Sequence, residues 1–120
     1  MKKPKVVVVG SSNTDMVIKS ARIPKPGETI TGGSFLLAPG GKGANQAVAA
    51  ARLGAEVVFI SAVGKDMFGQ QALDQYKKEG IDTSYIESLG GAASGIALIL
   101  VDEKGENSIS VASGANALLT

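Results

Sequence analysis

Pro39-Gly-Gly-Lys-Gly-Ala-Asn-Gln-Ala-Val-Ala-Ala-Ala-Arg-Leu-Gly54 is the stretch from which the rest of the chain can be read. Three clustered glycines, a lysine and an asparagine stand there at the mouth of an alanine-rich segment with helical spacing. Gly40, Gly41 and Gly43 carry no Cβ, so their backbone can reach positive φ and lie directly against a small polar molecule. Lys42 and Asn45 add directed donors, and a helix N-terminus adds N–H groups and a positive dipole end that favour oxygen-rich ligands. This combination suits a ligand site; the simpler alternative is a tight strand-to-helix turn that needs glycine only for its geometry. Two nucleotide motifs fail on spacing. A phosphate-cradling P-loop needs glycine at Leu36 and serine or threonine at Gly43, and a dinucleotide fingerprint through Gly41 and Gly43 needs glycine or alanine at Gln46.

Working outward, Val6 to Val9 is a β-branched run of the kind that forms a parallel strand buried on both faces, and Glu56 to Val63 repeats it. Between them, Ala44, Ala47, Val48 and Ala51 share one face of a helix expected from Asn45 to Leu53, with Gly54 as its C-terminal stop. A second helix is expected from Asp66, as N-cap, through Ala72, Leu73 and Tyr76 to Lys77 and Lys78, ending at Gly80. Strand, crossover helix and strand give an α/β core with a parallel sheet.

Additional strands lie outside that pattern. Met16-Val-Ile18, Thr29-Ile-Thr31 and Phe35-Leu-Leu37 are expected strands, with Pro24, Pro26 and Gly27 as a turn-rich spacer. Gly95 to Val101 and Asn107 to Ala112 flank Asp102-Glu-Lys-Gly105 and predict a hairpin. Ser108-Ile-Ser-Val111 alternates, which predicts a side sheet with one wet and one apolar face. Ala115 to Thr120 reads as the start of a further helix.

With 120 residues, 44% of them hydrophobic, and a net charge of +1, the chain suffices for one modest core and lacks the composition of a disordered segment. Near-neutrality without a long basic run argues against nucleic acid as a partner. There is no cysteine, no signal-peptide pattern and no apolar run long enough to cross a bilayer, so no membrane partner and a cytoplasmic location are expected.

Several blocks together carry a resemblance: Gly10-Ser-Ser-Asn-Thr-Asp15, Pro26-Gly-Glu-Thr29, Gly40 to Ala50, Gly64-Lys-Asp66 with Phe68-Gly69, Gly80-Ile-Asp82 and Gly105-Glu-Asn107. Over nearly its whole length the chain resembles the N-terminal part of the ribokinase-like sugar and nucleoside kinases. The resemblance implies a Rossmann-like α/β core with a parallel sheet and a small β-sheet lid, the lid strands lying at about residues 16–38 and 95–112 of a single truncated domain spanning 1–120. It implies sugar contacts from Asn13, Asp15, Gly41, Lys42 and Asn45, to which the reading of the glycine loop adds Gly40 and Gly43 as expected site residues. An ionised Asp15 is acceptor-only and suits hydroxyl donors, whereas Lys42 and Asn45 can donate. The plain alternative for Asn13 and Asp15 is an Asx turn after the first strand.

The same resemblance implies transfer of the ATP γ-phosphoryl group to the 5-hydroxyl of ribose or a similar small sugar, with Lys42 and Gln46 favouring ribose. It also implies that Mg2+ and a monovalent cation serve the full-length parent. The second family signature, Gly-Ala-Gly-Asp with its general base, does not occur in the sequence. Asp66, Asp74, Asp82 and Asp102 read instead as a helix cap, a solvated helix face, a post-helix turn and a hairpin tip. The expectation is therefore an N-terminal portion with no catalytic residue, nucleotide site or metal site of its own, inactive alone. Competing expectations are a non-catalytic sugar-binding or dimerisation module, or part of another sugar or nucleoside kinase. A homodimer through the lid is expected from Ile96, Leu98, Leu100, Phe35 and Leu37, an apolar face to be covered by both a partner lid and the sugar site.

Overall fold

The computed structural model describes residues 2–120 and contains two sheets that meet at one corner. The core sheet is parallel, with β1 (Lys5–Val9), β4 (Glu56–Gly64) and β5 (Ile86–Leu89) in the order β1-β4-β5. The side sheet has the order β3-β2-β6-β7, made by β2 (Asn13–Lys19), β3 (Ser34–Gly40), β6 (Gly95–Val101) and β7 (Asn107–Ala112). Helix α1 (Lys42–Arg52) joins the side sheet to β4, α2 (Met67–Lys78) joins β4 to β5, and a 3-10 turn follows over Gly114–Leu118. β2 and β6 run parallel, while β2–β3 and β6–β7 are antiparallel, the latter being the expected hairpin.

The core lies on one side of the β1-β4-β5 sheet. Ala44 and Ala47 of α1 are fully buried, and their small side chains let the helix approach Val57 and Phe59 closely. Phe59 meets Tyr76 of α2 edge-on, with ring centroids 5.3 Å apart and planes at 80°. Such a pair contributes about 0.5–1.5 kcal/mol beyond the area it buries. Both helices end at glycines with positive φ, Gly54 at 97° and Gly80 at 78°, as the sequence predicts.

The structure corrects five expectations. β1 is not buried on both faces: Val8 is covered, but Val7 and Val9 on the alternate face are 59% and 65% exposed, because both helices pack on the opposite side. Thr29-Ile-Thr31 forms no strand. The connection from 20 to 33 is instead irregular and clipped by Arg22 and Glu28, whose guanidinium and carboxylate meet at 2.5 and 2.7 Å. The bonded Arg22 lowers the Glu28 carboxyl to about 2, with help from the Lys25 N–H. The side sheet does not divide into a wet and an apolar face, since Gly95-Ile-Ala-Leu-Ile-Leu-Val101 of β6 is apolar on both. Finally, α1 begins at Lys42, three residues before Asn45, and the segment from Ala115 takes the 3-10 form.

Asp66 ties the two sheets together. As N-cap of α2 it accepts from the Gly69 N–H at 2.8 Å, and it also accepts from the Ser94 N–H at 2.8 Å and the Ser94 hydroxyl at 2.7 Å. Ser94 Oγ in turn accepts from the Gly64 N–H at 2.9 Å, so the end of β4, the start of α2 and the start of β6 share one network. Burial alone would raise the Asp66 pKa, but the hydrogen bonds from Ser94 and Gly69 outweigh it and hold the pKa below the ordinary value. A depressed folded pKa contributes stability that is complete above the unfolded value near 3.9 and fades as pH falls through the folded value. Replacing Asp66 with alanine is expected to cost about 2 kcal/mol at pH 7 in urea unfolding, with the difference from wild type shrinking toward pH 3. A difference that stays constant with pH would show that the carboxylate charge plays no part.

Candidate functional site

The expected site residues gather where the turn between β1 and β2 meets the start of α1. β2 begins at Asn13, so Asn13 and Asp15 are strand residues and not members of an Asx turn. Two residues apart on a strand, they point to the same face. In register, Asn13 stands opposite Gly40 on β3 and Gly95 on β6, and Asp15 stands opposite Ala38 and Ala97. The two glycines make room for the polar side chains themselves: the Asp15 carboxylate lies where a Cβ on Gly40 would be, and the Asn13 and Asn116 amides lie where one on Gly95 would be.

The Asp15 carboxylate is half-buried and has no hydrogen-bond or ion-pair partner among the described residues. Burial raises its pKa above the usual aspartate value. A partly desolvated, unpartnered acceptor is costly for the fold alone and is relieved by a donor brought from outside. Gly40 serves this carboxylate directly, because a Cβ there would fall on the Asp15 oxygens.

The other two glycines have internal duties. Gly41, at φ 97°, is the N-cap of α1, and a Cβ on it would lie 2.7 Å from the Ser11 carbonyl oxygen. Gly43 is buried, and a Cβ there would lie 2.7 Å from Gly10 and Ser11 backbone atoms. Their missing side chains bring α1 against the β1–β2 turn, where the Ala44 N–H donates to the Ser11 carbonyl at 2.9 Å. Lys42 and Asn45 are both exposed in the first turn of α1. The loop therefore combines the two readings of its sequence: glycines packed for geometry, and polar side chains left outside.

Three residues that sequence reasoning did not single out for the site hold this turn. Ser61 is buried and donates its hydroxyl to the Gly10 carbonyl at 2.7 Å. Tyr76 OH is hydrogen-bonded to the buried Ser12 hydroxyl; burial raises the Tyr76 pKa, and this bond opposes the rise. Asn116 reaches back to Ser12 and Asn13. The partners lie 51, 64 and 104 residues away along the chain, so no local spacing could reveal them.

A parallel α/β core and a small side sheet thus meet at a turn that sets an unpaired carboxylate, Asp15, near the start of α1, where Lys42 and Asn45 are exposed. The match of residues 3–120 to the description pfkB family carbohydrate kinase is consistent with that geometry, and the chain belongs to this family. It is 50% identical over 115 residues to a ribokinase of Haemophilus influenzae, covering 96% of this chain and 38% of that protein. A solved ribokinase from Giardia lamblia superposes with a TM-score of 0.91 at 41% identity, covering 99% of this chain and 36% of that one. An Arabidopsis thaliana ribokinase complexed with ribose and ATP superposes with a TM-score of 0.85 at 36% identity, covering 97% and 38%. The chain thus spans little more than a third of the length of these relatives.

Gly43→Ala is expected to lower stability by about 1–3 kcal/mol, because the new methyl meets backbone on both contacting residues and neither can rotate away. Thermal unfolding checks this, and an unchanged midpoint would mean that the α1 contact with the turn is looser than the structure indicates.

Proposed function

We propose that this chain is the sugar-binding part of an ATP-dependent ribokinase that converts D-ribose and ATP to D-ribose 5-phosphate and ADP. The observation that carries this reading is the unpaired Asp15 carboxylate standing beside Asn13 above the Gly40–Gly41 approach to α1. Asp15 accepts from sugar hydroxyls, and Asn13, Lys42 and Asn45 donate to hydroxyl or ring oxygens. Gly40 keeps the space at Asp15 free of a side chain, while Gly41 and Gly43 act through their packing against the Gly10–Asn13 backbone. Family membership and the Arabidopsis relative with ribose and ATP support the choice of substrate and phosphoryl donor.

The described residues do not suit the nucleotide or its metal. They include no group of three or more His, Cys, Asp or Glu able to hold a cation, and the glycines of α1 are filled by the chain's own backbone. ATP, Mg2+ and a monovalent cation are accordingly assigned to the remainder of a full-length parent, together with the general base and the anion hole. The side sheet acts as a lid over the sugar, excluding water as a competing phosphoryl acceptor. No helix among the described residues is long and apolar enough to cross a membrane, and a cytoplasmic location without nucleic-acid or membrane partners fits the near-neutral charge.

The lid also suits a homodimer. Phe35, Leu37 and Leu98 are 62%, 45% and 54% exposed, and strand register puts them on one face with Met16, Ile18 and Leu100. Asp15 lies on the opposite face; in this reading a partner lid covers the apolar surface and the sugar meets the Asp15 side, in place of one face serving both.

Three outcomes are expected. The chain alone produces no ribose-dependent ADP in a coupled assay; turnover approaching the roughly 1–100 s⁻¹ of ordinary kinases would overturn the assignment of catalysis to other residues. Asp15→Asn weakens ribose binding about ten- to hundredfold in an NMR titration while slightly raising the unfolding temperature, because an unpartnered desolvated charge is removed. Unchanged affinity would make Asp15 a structural residue only. In light scattering, Leu98→Glu shifts a dimer to monomers, and a wild-type chain that is monomeric at high concentration refutes the lid interface.

A further inference from the structure

We propose that Asn116 is a positioning residue that fixes which end of the Asn13 amide faces the sugar, an inference that rests on the ribose-binding reading above. Asn116 Oδ1 accepts from the Ser12 N–H at 2.9 Å, while its Nδ2 donates to the Ser12 carbonyl at 3.1 Å and to Asn13 Oδ1 at 2.7 Å. A backbone N–H can only donate and a carbonyl can only accept, so Ser12 permits a single orientation of the Asn116 amide. Both Nδ2 protons are then committed, one to Ser12 and one to Asn13. The atom of Asn13 facing Asn116 must be its oxygen.

The consequence lies on the other side of Asn13. Its Nδ2 is turned away from Asn116 and has no acceptor among the described residues, so the site receives two N–H donors and no amide acceptor from this side chain. Asp15, on the same face of β2, offers only acceptors. A donor beside an acceptor matches a hydroxyl group, whose oxygen accepts from Asn13 while its hydrogen goes to Asp15. The pair therefore selects hydroxyl-bearing ligands over ethers, which lack the hydrogen.

Gly95 independently indicates that the space is kept for this bond. It pairs with Asn13 across β2 and β6, and a Cβ there would collide with both Asn116 Nδ2 and Asn13 Oδ1. Glycine at this strand position, where a side chain would otherwise strengthen the sheet, leaves room for the two amides to meet.

NMR on the isotope-labelled chain tests the proposal with and without ribose. Without sugar, the Asn116 side-chain NH2 protons are expected to exchange slowly with water and those of Asn13 rapidly; the reverse order overturns the proposed polarity. With ribose, the Asn13 NH2 signals are expected to move and the Asn116 signals to stay. Asn116→Asp puts oxygen in place of the donor, turns the Asn13 amide around, and is expected to weaken ribose binding about three- to tenfold, the worth of one neutral hydrogen bond. Gly95→Ala separates the amides without altering Asn116 and should give a loss of similar size, which keeps the test available if Asn116→Asp fails to fold. A folded variant of either kind that loses thermal stability but keeps wild-type ribose affinity overturns the proposal. Ribose that shifts signals around Asp15 but not the Asn13 amide overturns it too, leaving the ribose-binding reading intact; ribose that shifts nothing overturns both.

Discussion

The turn from Gly10 to Ser12 is the constraint on which the site depends. It carries the chain from the core sheet to the side sheet, and almost every polar group on it is answered by a different element. β4 supplies Ser61 to the Gly10 carbonyl, α1 supplies the Ala44 N–H to the Ser11 carbonyl, α2 supplies Tyr76 to the Ser12 hydroxyl, and the terminal 3-10 turn supplies Asn116 to both backbone groups of Ser12. A turn held from so many sides cannot drift, so Asn13 and Asp15 leave it in one direction. Preorganisation of this kind lowers the cost of binding a small flexible ligand.

The same economy of space governs the close contacts. Gly10 and Gly43 meet backbone to backbone, which lets the start of α1 sit against the turn, and Gly40 and Gly95 clear room for Asp15 and for the two asparagine amides. Polar residues in this region therefore fall into two groups. Ser61, Ser12, Ser94 and Asp66 are consumed by internal hydrogen bonds and hold the corner where the sheets meet. Asp15, Lys42 and Asn45 make no hydrogen bond through their side chains within the described residues, and these are the groups left for a ligand. The division follows from what each side chain can reach.

Asp66 shows how a local sequence signal can have a wider meaning. Its position ahead of a helical segment predicts an N-cap, and the structure confirms one, but the second oxygen of the same carboxylate binds Ser94 at the start of β6. The core and the side sheet are thus coupled through a helix cap. The open β1 face points the other way, to a surface that no described element covers.

Much of the architecture was legible in the sequence because it rests on local rules. The β-branched runs gave β1 and β4, the alanine spacing gave the buried face of α1, Gly54 and Gly80 gave the helix ends, and Asp102 to Gly105 gave the hairpin turn. The motif blocks were sufficient for the family. What the sequence could not determine was which surfaces are covered, since periodicity reports that a face is apolar and not whether anything packs on it; β1 and the lid faces were misjudged for this reason. Nor could it separate glycines that make room for a ligand from those that make room for backbone, because both leave the same letter. Asn116, Tyr76 and Ser61 joined the site only through tertiary structure: their partners are distant in sequence, and hydrogen-bond direction at Asn13 exists only once Ser12 has fixed the amide that faces it.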